Sequence, residues 1–300
     1  MLVVAALGGN ALLQRGQAMT PEAQSGNVGR AAEALARIVR AGHDLVITHG
    51  NGPQIGMLAM QSDLWPLDIL GAETDGMIGY VIERELENAL DHDRPVATLL
   101  TQVLVDAADP AFKNPTKFVG PVWTRAEAEA RALPKGWKIA KDGNGWRRVV
   151  ASPTPIEIPD MRALRLLLQS GAVIICGGGG GIPVVRGPDG RLSGVEAVVD
   201  KDRTTSLLAR RLEAGALLLL TDVRSVMADF GTSHARGIPH MTPDEAGHMD
   251  LPAGSMAPKV DAAADFARRT GRSAYIGRLE DAAEMLEGNA GTRIGLGHPR

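Results

Sequence analysis

The chain has 300 residues, 44% hydrophobic and 22% charged, with a formal net charge of -3. That length can bury a substantial core in one large α/β domain or two lobes, and the balance is that of a globular protein. Aromatic residues make up only 3%, too few for a base-stacking platform, and the charge gives no basic footprint for a duplex, so the expected partner is a small molecule and not nucleic acid.

Cys176 is the single cysteine, which rules out an intramolecular disulfide framework and suits a reducing compartment. The start, MLVVAALGGN, lacks a basic leader, and its apolar run breaks at Gly8, Gly9 and Asn10. It reads as a buried strand and not an export signal. With no apolar run near the roughly 20 residues a membrane helix needs, the expectation is a cytosolic protein away from membranes.

In chain order, Leu2 to Leu7 has strand length and is followed by a helical pattern with Val28, Ala31, Ala32, Leu35, Ile38 and Val39 on one face and Gly42 as its stop. A second strand, Leu45 to Thr48, ends in His49, Gly50, Asn51, Gly52 and Pro53, and Pro53 suits the opening of a helix because its missing N–H is not needed there. Residues 74 to 90 form another helical pattern, and Val96 to Val105 reads as one strand. Between Asp106 and Ser152 the aliphatic periodicity weakens, and Trp123, Trp137 and Trp146 occur among five lysines. Structureless loops of that length are uncommon, so the stretch is expected to be an inserted lid subdomain whose tryptophans make a small core of their own.

The alternation then resumes. A helix near Met161 to Gln169 precedes the strand Ala172 to Cys176, the glycines Gly177 to Gly181, and a hairpin from Val184 and Val185 through GPDGR to Val195–Val199. A helix after Lys201, the strand Ala216 to Leu220, a helix starting near Ser255 to Lys259, the strand Ser273 to Ile276 and a short helix follow. Such a rhythm predicts an open, mostly parallel sheet with helices on both faces.

Three strands end in glycine-rich loops, LGGNAL, THGNGP and CGGGGGIP. In an open α/β sheet, ligands sit beyond the C-terminal strand ends, where glycine lets backbone N–H groups approach an anion. No GxxxxGK[ST] is present, and the glycine run fails the dinucleotide fingerprint at Ile182; nucleophile-elbow, HRD and zinc spacings are also missing. Positive charge at such a site must come from lysines outside a P-loop. There are seven lysines among 32 basic residues, five of them from Lys113 to Lys141, which leaves Lys201 and Lys259 isolated in an Arg-rich chain. A compact ammonium on a flexible stem suits a phosphoryl group in transit. His49 is expected to pack or hydrogen-bond, Cys176 to be a small buried hydrophobe, Asp75 and Asp106 to be solvated turn residues, and Lys135, Lys138 and Lys141 to be surface charge.

The runs LGGNAL, THGNGPQIG, LTQVLVD, FKNPTKFVGP, GWRRVV with SPTP, the glycine run with IPVV, GVEAVVDKD, LLLLTDV and GSMAPKV together resemble the carbamate kinases of the amino acid kinase superfamily, in the family's order and over almost the whole chain. The resemblance implies a three-layer αβα sandwich and reversible transfer between ATP and carbamate, giving ADP and carbamoyl phosphate, with Mg2+ on the nucleotide phosphates and no protein metal site. It implies an acceptor-binding and dimerising lobe over 1–212, with the lid at about 106–152, a nucleotide-binding lobe over 213–300, and a homodimer. Carried over by position, Gly8, Gly9, Asn10, Gly50, Asn51 and Gly52 would hold carbamate and the moving phosphoryl group. Lys201 would stabilise the transition state, Asp202 would orient the lysines, Lys259 would hold the terminal phosphate, and Lys117 would reach in from the lid. Gly178, Gly179, Gly180, Gly181, Thr221, Asp222, Met256 and Pro258 would lie on the nucleotide side. Cys176 and the extra Gly177 depart from the pattern, and 229–239 and 295–300 match nothing assignable.

Overall fold

The computed structural model describes residues 1–12, 17, 20–61, 64–251 and 256–297. An eight-stranded sheet forms its middle layer, in the order His240–Met241, Thr292–Ile294, Ser273–Arg278, Ala216–Thr221, Leu2–Leu7, Asp44–His49, Val173–Cys176 and Val96–Leu99. Every neighbouring pair is parallel except Ser273–Arg278 with Thr292–Ile294. The unbroken apolar strands follow from burial on both faces. Val4 and Ala6 enter one core with Leu208, Ala263 and Phe266. Val3, Ala5 and Leu7 enter the other with Val28, Leu35, Ile38, Ile78 and Ile82. This is the expected three-layer αβα sandwich.

Local sequence sets the helix ends. The Thr20 side chain accepts from Ala23 N and Pro21 takes the first turn of Pro21–Arg40, while Gly42, with φ +84°, turns the chain toward the next strand. The helix Leu67–Ala89 starts earlier than its periodicity suggested, and Leu67, Leu70, Gly71, Thr74, Asp75, Ile78 and Ile82 share its buried face.

Two expected strands differ. Val96 to Val105 breaks at Leu100 and Thr101, so Val96–Leu99 stays in the main sheet while Gln102–Val105 joins a second sheet with Pro155–Glu157, Ile182–Arg186 and Leu192–Gly194. The break is enforced at Thr101: its carbonyl accepts from Ile182 N, its amide donates to Asp75 Oδ2, and its hydroxyl accepts from Gly177 N. The hairpin pairs Val184–Arg186 with Leu192–Gly194 and stops there. Ala197, Val198 and Val199 are buried without forming a strand, and a single bridge from Ala197 to Ala151 holds that run. Their apolar character serves burial between loops and not a ladder.

Within 106–152, the strands Lys117–Trp123, Gly145–Val150 and Lys138–Asp142 form a three-stranded antiparallel sheet with the helix Arg125–Ala132, which a Thr124–Glu127 capping box opens. Val119, Ala128, Val149 and Val150 are buried there. The tryptophans do not make the expected small core. They are half-buried and faced by cations, with Arg148 4.3 Å from the Trp137 ring centre, Arg125 5.3 Å from Trp146 and Arg131 5.4 Å from Trp123.

Candidate active site

Four neighbouring strands, Ala216–Thr221, Leu2–Leu7, Asp44–His49 and Val173–Cys176, point their C-terminal ends to one edge of the sheet. Their loops are stitched together there. Gly8 N donates to Leu220 O at 3.1 Å, and Gly50 N donates to Leu7 O at 3.2 Å. Gly9 and Gly52 are exposed on this edge, whereas Asn51 is buried with its Nδ2 donating to Thr74 Oγ1 at 2.8 Å. Asn10 belongs to the short helix Gly9–Leu12; its side chain lies outside the described set, as do Gly254 and Ser255.

Lys201 enters the middle of this crest. It is the first residue of the helix Lys201–Arg211, and its Nζ donates to Leu7 O at 2.8 Å, the same carbonyl that anchors Gly50. Asp202 stands beside it, with Oδ1 3.3 Å from Lys201 Nζ and Oδ2 2.9 Å from Lys259 Nζ. Lys259 comes from the helix Met256–Thr270, packed alongside through the core that holds Leu208, Ala263 and Phe266. All three are nearly withdrawn from water, their side chains 12%, 7% and 8% exposed for Lys201, Asp202 and Lys259. Burial draws the Lys201 ammonium down to about 8; Asp202 acts against that and the Lys259 charge adds to it. For Asp202, burial pushes the carboxyl up, but the charges of Lys201 and Lys259 outweigh it and hold it at about 2. The cluster therefore carries net positive charge beside open glycine loops.

The glycine run lies one strand further along and is wholly buried. Its amides are largely engaged within the protein: Gly177 N on Thr101 Oγ1, Gly178 N on Asp75 Oδ1, Gly180 N on Gly177 O and Gly181 N on Gly178 O. Gly180 has φ +96°, and a Cβ there would lie 2.3 Å from Val199 O, so no other residue fits between the run and the segment leading into Lys201. The run supports Lys201 and packs against Asn51. It does not present an open row of donors.

Asp75 is the residue that sequence reasoning misplaced. It is not a solvated turn residue: it is completely buried, with Oδ1 accepting from Gly178 N at 3.0 Å and 3.4 Å from His49 Nε2, and Oδ2 receiving Thr101 N at 3.4 Å. One carboxylate thus joins three loops at the crest. Asp106 does take the turn role, accepting from Ala108 N at 2.8 Å. His49 also contacts Gly50 O through Nδ1. Cys176 is fully buried, and burial, then the Asp75 charge, pushes its thiol up, as befits a packing residue.

Lys117 reaches the crest indirectly. Its Nζ donates to Asp200 Oδ2 at 2.8 Å, and Asp200 is the N-cap of the helix that begins at Lys201. Asp200 was not singled out from sequence, although an acidic residue just before a helix is a recognised start signal. Thr221 and Asp222 close the strand next to Leu2–Leu7, with Thr221 Oγ1 3.2 Å from Asp222 Oδ1. Met256 and Pro258 lie half-buried in the first turn of the helix that carries Lys259.

Two buried ammoniums held by one carboxylate, beside loops of exposed glycine, are suited to neutralising an anion that changes hands. The comparisons with known proteins agree. The amino acid kinase family model matches residues 1–278. The carbamate kinase of Rhizobium meliloti is 53% identical, covering 98% of this chain and 93% of that protein, and that of Haemophilus influenzae is 49% identical, covering 98% and 96%. The solved carbamate kinase from Giardia lamblia bound to AMP-PNP superposes with a TM-score of 0.90 at 38% identity, covering 98% of each chain. The chain belongs to the amino acid kinase family, in its carbamate kinase branch.

Proposed function

We propose that the chain transfers a phosphoryl group reversibly between ATP and carbamate, and that Lys201, Asp202 and Lys259 are its charge-neutralising centre. The observation that carries this reading is the ion-paired cluster, with Asp202 between two buried lysines at the end of Leu2–Leu7. In the ATP-forming direction the bond from phosphorus to the carbamate oxygen breaks, a bond to the terminal ADP oxygen forms, and carbamate leaves, to decay to carbon dioxide and ammonia. Lys201, fixed at the crest, meets the charge that grows on the phosphoryl oxygens. Lys259 holds the terminal phosphate of the nucleotide, and Asp202 keeps the two ammoniums from drifting apart. Lys117 adds a charge from the 106–152 insertion.

Gly8, Gly9, Asn10, Gly50, Asn51 and Gly52 line the acceptor side in this reading. Thr221, Asp222, Met256 and Pro258 line the nucleotide side. For Gly178 to Gly181 the reading shifts from nucleotide contact to support, because the engaged amides of Gly178, Gly180 and Gly181 favour a scaffold role. ATP and ADP are substrates that bring Mg2+ on their phosphates. The division into an acceptor part, 1–212, and a nucleotide part, 213–300, fits a site lying where Leu2–Leu7 and Ala216–Thr221 adjoin. A homodimer is proposed through the first part, where Ile69, Met77 and Tyr80 of one helix are exposed. Among the described residues no helix is long and apolar enough to cross a membrane, and a cytoplasmic location is part of the same proposal.

The test is ATP formation from ADP and carbamoyl phosphate with magnesium, run beside acetyl phosphate and acyl phosphates of amino acids. Robust turnover confined to carbamoyl phosphate is expected. Turnover with an amino acid acyl phosphate alone, or none with any donor, would overturn the assignment.

A further inference from the structure

We propose that Asp200 is a positioning residue: it latches the 106–152 insertion to the helix that carries Lys201 and Asp202, and so sets where Lys117 stands. This rests on the reading of Lys117 as a phosphoryl-contacting residue.

The two oxygens of Asp200 serve two different parts of the molecule. Oδ1 accepts from Asp202 N at 3.0 Å and Arg203 N at 3.3 Å, the N-cap arrangement, and Oδ2 accepts from Lys117 Nζ at 2.8 Å. The Asp200 carbonyl accepts from Thr204 N at 3.0 Å, and Val199 is wedged against Gly180 on the other side. The carboxylate is therefore fixed by the helix end, and its second oxygen can face only one direction. A lysine stem has several rotatable bonds, and an ammonium tied to so rigid an acceptor loses that freedom before any phosphoryl group arrives.

The insertion touches the body elsewhere as well, and Asp109 stands near enough to Arg203 of this helix for their charges to attract. Gly56 of the helix Gly52–Gln61 lies so close to Gly120 that a Cβ on Gly56 would stand 2.8 Å from the Gly120 backbone. Arg148 donates to Glu196 Oε1 at 2.7 Å, and Glu196 Oε2 accepts from Leu67 N at 2.9 Å. The ion pair between Lys117 and Asp200 is hydrogen-bonded, and it ends at the N-cap of Lys201–Arg211. It also adds a cation to the Asp200 carboxylate, which lies close enough to Lys201 to interact with its charge and would repel an incoming phosphoryl anion.

Asn caps a helix about as well as Asp, so D200N keeps the cap and removes the charge that holds Lys117. The experiment measures kcat for ATP formation, ADP affinity by calorimetry, and thermal melting for the full-length wild type, D200N, K117A and D200N/K117A. D200N is expected to melt with the wild type, bind ADP unchanged and lose about 10-fold to 100-fold in kcat. In the K117A background the same substitution should change kcat by no more than about twofold. Equal losses in both backgrounds, or none in either, would overturn the proposal, as would a K117A variant as active as wild type. If D200N does not fold, hydrogen exchange on K117A gives the same test. Faster exchange in the insertion strands Lys117–Trp123 and Gly145–Val150, which lose their tie to the helix end, supports the latch, and unchanged exchange there overturns it. The exchange readout needs no turnover, so a wild type silent toward carbamoyl phosphate would sink the proposed function and leave the latch to be judged separately.

Discussion

Lys259 Nζ lies 2.9 Å from Asp202 Oδ2, a contact between two helices whose partners are 57 residues apart in sequence. It binds the first turn of Met256–Thr270 to the first turn of Lys201–Arg211, so the two lysines cannot separate without exposing or orphaning a buried carboxylate.

Removing that carboxylate's charge should damage both stability and catalysis. Asp202→Asn leaves two buried ammoniums facing each other, and breaking a buried ion pair from one side destabilises by about 3 to 5 kcal/mol. Denaturant unfolding should show a loss of that order, and kcat should fall by about 100-fold to 1000-fold. A variant as stable and active as wild type would show that the cluster does not hold the site together.

The alkaline limb of the rate profile should belong to Lys201. Its ammonium is drawn down to about 8, so the charge that meets the phosphoryl group is lost as pH rises through that value. The expected result is a fall in kcat above about pH 8. Lys201→Arg, always protonated, should remove the limb while lowering the plateau. Stability on the acid side has its own sign. The folded Asp202 carboxyl, at about 2, lies below its unfolded value, so its contribution is present above the usual carboxylate range and is lost as pH falls toward 2. Acid unfolding of Asp202→Asn should show a weaker dependence in that window.

Asp75 is expected to matter although no phosphate needs to touch it. In Asp75→Asn an amide group must replace one of the two oxygens that now meet Gly178, His49 and Thr101. A loss of about 1 to 3 kcal/mol in stability follows from a buried donor left without its acceptor. Because Gly178 and His49 lie beside the Gly50–Asn51 loop, the KM for carbamoyl phosphate should rise more than that for ADP. Equal rises in both would mean that the three-loop junction serves the whole fold and not the acceptor side.

The sheet was legible because each central strand is buried on both faces and therefore written in continuous aliphatic residues, with a glycine loop at its end. Lys201 and Lys259 stood out by their isolation. Asp75 did not, since its partners lie 26 residues away at Thr101 and 103 away at Gly178. The available signal was its place on the apolar stripe between Leu70 and Ile78, where a charge must find a partner. The glycine run was visible as a loop, but spacing shows where backbone can approach an anion and not whether its amides are already engaged, as those of Gly177, Gly178, Gly180 and Gly181 are. The strand over Val96 to Val105 was read as continuous for a similar reason: its apolar pattern hardly falters where Thr101 is held by three other segments.

The central claim is that Lys201 acts on charge in transit, and the split between turnover and binding in Lys201→Ala tests it most directly. The ATP-forming rate from ADP and carbamoyl phosphate should fall by about 100-fold to 1000-fold, while calorimetry finds ADP bound within about threefold of wild type. Loss of ADP affinity as large as the loss of rate would contradict the account.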